Sequence, residues 1–353
     1  MSSIETINHT FLKEILSSHN SPLPAIQICH IRDLNIVNSA HYGKKQMGGM
    51  EKIDNNTLFQ AGSISKTVFS LAVMKLIDRG KITLDEDINC YLSSWKLHAK
   101  NNKSVSLRHI LSHTAALSVQ GFPGYKNTDT LPDPIQILNG VTPANTNRVQ
   151  IVGCPGKKFQ YSGGGTTIAQ QAIVDVMQQP FSTLMRELIL APTEMDNSAY
   201  LQPLPAEIAA RAACGHDETG RPIAGKYFVY PELAAAGLWS TATDLAKLGI
   251  EVMKIFHGQK SKLGLPTNTL KSMLQPQLAH EQSADHFVGL GWFCCRNQGN
   301  FCISHAGQTE GFIAQLSLIP EKGQGIVIMI NTLNGWPIIQ RLLIEGGFSP
   351  ASI

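Results

Sequence analysis

Strand-like segments lie towards the two ends of this chain and helix-like segments lie between them, a distribution that constrains the fold more than any other feature. Two apolar runs, "AIQICHI" from Ala25 and "LNIVNSA" from Leu34, are separated by Arg32 and Asp33 as a tight turn and read as a hairpin. Four more, "FVGLGWFCC", "FCISHA", "FIAQLSLIP" and "GIVIMIN", follow one another late in the chain. Consecutive strands joined by short turns pair antiparallel, so both ends are expected to build one antiparallel sheet. An apolar helical face at Ile4, Ile7, Phe11, Leu12, Ile15 and Leu16, and a second in "WPIIQRLLIEG", are expected to flank it. The pieces between, "LRHILSH", "DPIQILNG", "TTIAQQAIVDVMQ" and "FSTLMRELIL", read as helices separated by loops rich in Pro, Gly and Asn. The expected class is α+β. Residues 1–80 and 211–353 form an α/β unit around the sheet, and 81–210 form an inserted, mainly helical one. A cleft where two such units meet is the expected place for a site.

A chain of 353 residues, 43% of them hydrophobic, has enough apolar surface for a substantial core. Charged residues make up only 16%, and 29 Lys and Arg against 26 Asp and Glu leave no basic run that would track a phosphate backbone, so nucleic acid is not an expected partner. No apolar run reaches spanning length, and the opening "MSSIETINHTFLKEILSSHN" lacks the pattern of a secretory signal, so a soluble protein of the cytoplasm is expected. Seven cysteines without framework spacing read as reduced thiols there. Cys294, Cys295 and Cys302, with His305, could meet across a hairpin around the turn-like "RNQGN" and form the one candidate grouping for a metal site. The adjacent pair should point to opposite faces of a strand, which argues for plain thiols and no metal.

The chemistry centres on "FQAGSISKTVFS", where Ser63 precedes Lys66 by three residues at the start of a helix-like run from Ser65 to Arg79. An alcohol is a weak nucleophile and needs a base within hydrogen-bond reach. A lysine one turn along a helix from a serine at its N-terminus lies over the same face. Spacing alone is weak evidence, because Ser93-Ser94-Trp95-Lys96 satisfies the same pattern without opening a periodic helix. No G-x-S-x-G or H-E-x-x-H signature occurs, which argues against a nucleophile elbow with a Ser-His-Asp triad at His113 and against a zinc hydrolase.

Beyond those four residues, "LFQAGSISKTVFSLAVMKLIDRGKITLDEDI" resembles the nucleophile segment of serine β-lactamase-like proteins: class C β-lactamases, DD-peptidases, D-aminopeptidases and related esterases. Further blocks follow in that family's order. They are "SLRHILSHTAAL", with Ala115 and Ala116 replacing serine and glycine, then "FQYSGGG", "AAAGLWSTATDLAKL", "VGLGWF" and "SHAGQTEGF". Together they cover about residues 22 to 333.

The resemblance implies a β-lactamase/transpeptidase-like fold and a cofactor-independent serine hydrolase acting on a small ester or a D-residue-containing peptide or amide. Ser63 would form an acyl-enzyme, Lys66 would take its proton and Tyr161 would relay protons. The backbone N–H groups of Ser63 and Gln308 would form the oxyanion hole. Gly163 stands where β-lactamases commonly carry asparagine, and His305-Ala306-Gly307 where they carry Lys-Thr-Gly. A histidine, only partly cationic at neutral pH, would hold a substrate carboxylate less firmly, so efficient β-lactamase activity is not expected. Trp239 reads as packing, Asp244, three residues after Thr241, as a helix start, and Trp292 as part of the cleft wall. Gly163 and the altered "HTAAL" block leave an alternative, a non-catalytic or assembly-forming scaffold that keeps the fold.

Overall fold

The computed structural model describes residues 23–98, 103–278, 285–297 and 299–348. The helix expected over residues 4–16 lies outside them. Its centre is a seven-stranded sheet built from β1 (Ala25–Arg32), β2 (Asn35–Gly43), β5 (His286–Val288), β6 (Phe293–Asn297), β7 (Asn300–Thr309), β8 (Phe312–Ile319) and β9 (Gln324–Ile330). The spatial order is β2-β1-β9-β8-β7-β6-β5 and every pairing is antiparallel. β1 pairs with β9 in the register Ile28 opposite Ile328, so the two ends of the chain meet inside the sheet. Two short strands, β3 (Phe59–Gln60) and β4 (Trp239–Ser240), pair separately and fix the entry to the helix that follows β3.

Both faces of the sheet are covered, which is why its central strands read as unbroken apolar runs. Alternate residues divide between two cores, as the pleat requires. Ile326, Ile328 and Ile330 pack with Ile338, Ile339, Leu342 and Leu343 of the C-terminal helix α8 (Trp336–Glu345), while Val327 and Met329 join the larger core. That larger core holds α7 (Ala242–Phe256), capped by the Thr241 hydroxyl accepting from the Asp244 N–H at 3.2 Å, and the central helix α1 (Ile64–Asp78). Every residue of α1 from Ile64 to Leu76 is buried. A helix apolar on all sides belongs in an interior, and its few polar side chains must find partners there. Tyr200 Oη donates to Ser65 O at 2.8 Å, Ser65 Oγ accepts from the Leu238 N–H at 3.0 Å, and Thr67 Oγ1 donates to Gly291 O at 2.8 Å.

Between β3 and β4 the chain supplies α2 (Leu107–Leu111), α3 (Pro134–Asn139), α4 (Gly163–Met177), α5 (Phe181–Met185) and α6 (Leu233–Ala236). α3 opens with a reciprocal cap between Asp133 and Gln136, as "DPIQILNG" implies. α4 begins three residues earlier than its apolar pattern, because the Ser162 hydroxyl caps Gly165 N–H at 3.0 Å and draws the glycines into the first turn.

Three expectations need correction. The first hairpin turns at Asp33 and Leu34 rather than Arg32 and Asp33, since these two residues take the pair of positive φ values that a two-residue turn requires. "FVGLGWFCC" is two strands, not one: between β5 and β6 the Gly291 N–H donates to Leu111 O at 2.8 Å and Gly291 O accepts from Thr67, which pulls the segment off the sheet onto α2 and α1. Trp292, expected in a cleft wall, is fully buried in the larger core. Trp239 is fully buried there, as expected. Cys294 and Cys295 do take opposite faces, one in each core. Among the described residues no group of three or more His, Cys, Asp or Glu is arranged to hold a metal, and no helix is long and apolar enough to cross a membrane.

Candidate active site

Ser63 stands between β3 and α1, immediately after Gly62 at φ +51°, a conformation that costs glycine little. A serine at a helix N-terminus ordinarily accepts a hydrogen bond from the first turn. Ser63 instead has helical φ and ψ of −65° and −10° and makes no side-chain cap. Its hydroxyl is thereby left for another partner, and that partner is Lys66.

Lys66 Nζ lies 3.0 Å from Ser63 Oγ and donates to Ala235 O of α6 at 2.6 Å. The side chain is 5% exposed, and among the described residues no carboxylate forms an ion pair with it. Its Nζ is 5.0 Å from the centroid of the Tyr161 ring. Tyr161 in turn packs on the His113 ring, with centroids 4.2 Å apart and planes 35° from parallel. His113 is buried at φ +57°, and its Nδ1 accepts the Ser162 N–H at 3.3 Å. Burial, then the neighbouring Lys66 and His305, holds its pKa well below the ordinary histidine value. The block expected to be structural therefore braces the residue that carries the phenol.

Strand β7 closes the other side. A Cβ built on Gly307 would lie 2.0 Å from Ala61 O and 3.3 Å from Ser63 N, and one built on Gly62 would lie 2.6 Å from Gln308 N. Neither position admits a side chain, so the Ser63 and Gln308 backbones run along one seam. The Gln308 side chain faces outward and its Oε1 accepts from Trp336 Nε1 at 3.1 Å.

His305 corrects the expectation of a partly cationic group. It is 3% exposed, and burial first of all pushes its pKa down to about 4, so the ring is neutral at pH 7. The Ala306 carbonyl can only accept, so the 2.6 Å contact places the proton on Nδ1 and leaves Nε2 with a lone pair. Gly163 has no room for asparagine: a Cβ there would lie 2.9 Å from Phe122 Cε2 and 3.2 Å from Gln120 O.

Ser63, Lys66, Tyr161, His305, Gly307 and Gln308, scattered over the sequence, are thus brought together, with Gly163 two residues from Tyr161. Sequence reasoning missed three contributors. Ala235 acts through its backbone, so no side-chain pattern could reveal it. Phe122 and Phe159 lie in loops with no periodicity to mark their direction. Glu232, directly before α6, was also missed: it is fully buried, both carboxyl oxygens lack partners among the described residues, and burial raises its pKa to about 8.

The family model described as Beta-lactamase matches residues 17–339. The chain belongs to the Beta-lactamase family. As a member of this β-lactamase-like serine hydrolase family, it is 23% identical over 319 residues to Protein flp of Staphylococcus aureus (strain N315), an alignment covering 88% of the chain and 60% of that relative. The chain therefore spans about 60% of the length of such relatives. It is 22% identical to a Beta-lactamase of Yersinia enterocolitica, covering 93% of the chain and 87% of the relative. The octameric penicillin-binding protein homologue from Pyrococcus abyssi superposes with a TM-score of 0.77 at 22% identity, covering 97% of this chain and 77% of that one. The Beta-lactamase/D-alanine Carboxypeptidase from Yersinia pestis, complexed with citrate, gives 0.72 at 20%, covering 96% and 100%. The fold of this family member is accordingly the α+β, β-lactamase/transpeptidase-like one.

Proposed function

We propose that the protein is a cofactor-independent serine hydrolase that turns over a small ester or a D-residue-containing peptide or amide through an acyl-enzyme on Ser63. Ser63 Oγ attacks the substrate carbonyl while its proton passes to Lys66 Nζ. The oxyanion forms against the Ser63 and Gln308 N–H groups. Collapse expels the alcohol or amine, which takes a proton through Lys66 and Tyr161, and water then attacks the ester of Ser63 with the same groups removing its proton. The observation that carries the reading is the 3.0 Å contact between Ser63 Oγ and a buried Lys66 amine that has no carboxylate partner among the described residues. Tyr161 and the β7 seam lie around it.

The scaffold alternative draws no support from the altered block. Ala115 and Ala116 are buried, Ala116 O accepts the Val152 N–H at 2.8 Å, and neither makes any of the contacts of Ser63, Lys66 or Tyr161. The neutral His305 and the filled space at Gly163 speak against efficient β-lactam turnover. A panel of p-nitrophenyl esters, D-amino-acid amides and nitrocefin, run with wild type and Ser63→Ala, tests the proposal. Ser63-dependent turnover of an ester or D-amide is expected. Wild-type rates in Ser63→Ala would remove the hydrolase reading, and nitrocefin hydrolysis on the order of 10⁴ M⁻¹s⁻¹ or more would show that the motif argument against β-lactams is wrong.

A further inference from the structure

Building on that hydrolase reading, we infer that the site selects apolar, ring-bearing acyl groups, with Phe122 as the specificity-determining side chain. Two independent features point the same way. First, the edge of Phe122 occupies the space next to Gly163, so the position two residues after Tyr161 is walled by an aromatic ring where a polar side chain would otherwise project. Second, the rings around the proposed reacting groups form a continuous chain. Phe159 meets His113 edge-on at 6.0 Å and Phe293 at 6.2 Å, and Phe293 meets His305 at 5.1 Å. Phe159 keeps 38% of its surface exposed although it is held on two sides, so an apolar face remains for a ligand to cover. An aromatic acyl group would pack against Phe122 and Phe159.

The test holds the leaving group constant and varies the acyl group: p-nitrophenyl acetate and phenylacetate. Wild type is expected to favour phenylacetate over acetate by at least about tenfold in kcat/KM, the range available to contacts in an apolar pocket. Phe122→Ala is expected to lower the phenylacetate-to-acetate ratio by about tenfold, and Phe122→Leu, which keeps most of the volume, by less. Circular dichroism shows which variants are folded, and the leucine variant carries the test if the alanine variant is not. Preference for acetate in wild type, or an unmoved ratio in the folded variants, overturns the inference while leaving the hydrolase reading intact. Absence of Ser63-dependent turnover of both esters overturns the hydrolase reading itself.

Discussion

The chain contains two Ser-x-x-Lys segments, and they end in opposite circumstances. At Ser63-Ile64-Ser65-Lys66 the serine precedes a fully buried helix, its hydroxyl makes no cap, and the lysine amine reaches it at 3.0 Å from a nearly water-free position. At Ser93-Ser94-Trp95-Lys96 the serines and the lysine are exposed. The Ser93 and Ser94 N–H groups donate to Asp175 at 2.8 and 2.9 Å, Ser94 Oγ donates to the same carboxylate, and Lys96 Nζ reaches back to Asn89 O and Leu92 O. There the polar groups tie a loop to α4 and the lysine caps backbone carbonyls. One four-residue pattern thus gives a candidate nucleophile with a base in one place and a loop fastener in the other. Burial and the surrounding backbone decide which.

The sharpest way to break this contrast is to truncate both serines. Ser63→Ala should lower kcat for any turned-over ester by about 10⁴–10⁶, the loss expected when a covalent nucleophile is removed, while Ser93→Ala should stay within about twofold of wild type. Steady-state rates on one p-nitrophenyl ester decide it, and equal losses would erase the distinction. The lysines come next. Lys66→Ala should cost about 10²–10⁴ in kcat as a lost general base, whereas Lys96→Ala should leave the rate alone.

Two smaller effects concern what holds each lysine's surroundings in place. The Ala235 carbonyl that anchors Lys66 belongs to α6, which Glu232 introduces from a fully buried position. Its folded-state pKa of about 8 lies above the ordinary 4.5, so the folded protein retains a proton that the unfolded chain releases. Stability should therefore fall as pH rises from about 4.5 to about 8 and level off above that. Glu232→Gln should remove that slope and raise stability at pH 9 by up to ~5 kcal/mol, with little change at pH 4, in urea melts across the pH range. A slope unchanged in the variant would contradict the burial of a protonated carboxyl. Smallest is Asp175→Ala, which should cost about 1–2 kcal/mol by thermal melting, with kcat unchanged, because it releases the Ser93–Ser94 loop without touching the Ser63 side.

Much of the architecture was legible because burial leaves strong patterns. β1, β8 and β9 are apolar on both faces and α7 carries its threonine cap, so their existence and type follow from the residues alone. Gly289–Trp292 misled because an apolar run with β-like composition is drawn off the sheet by two tertiary hydrogen bonds that no local pattern encodes. The placement of Ser63, Lys66 and Tyr161 near one another was readable from ordered motif blocks, yet the charge of His305 was not. Its neutrality comes from burial, a property of neighbours distant in sequence. The same applies to Phe122, which matters only because position 163 has no side chain.

Most direct for the central claim is covalent labelling with a fluorophosphonate probe, followed by mass spectrometry of the digested protein. The adduct should map to Ser63 in wild type, form more slowly in Lys66→Ala and be absent from Ser63→Ala, with Ser93 unmodified throughout. An adduct on another residue, or Ser63 unmodified while ester turnover continues, would contradict the account.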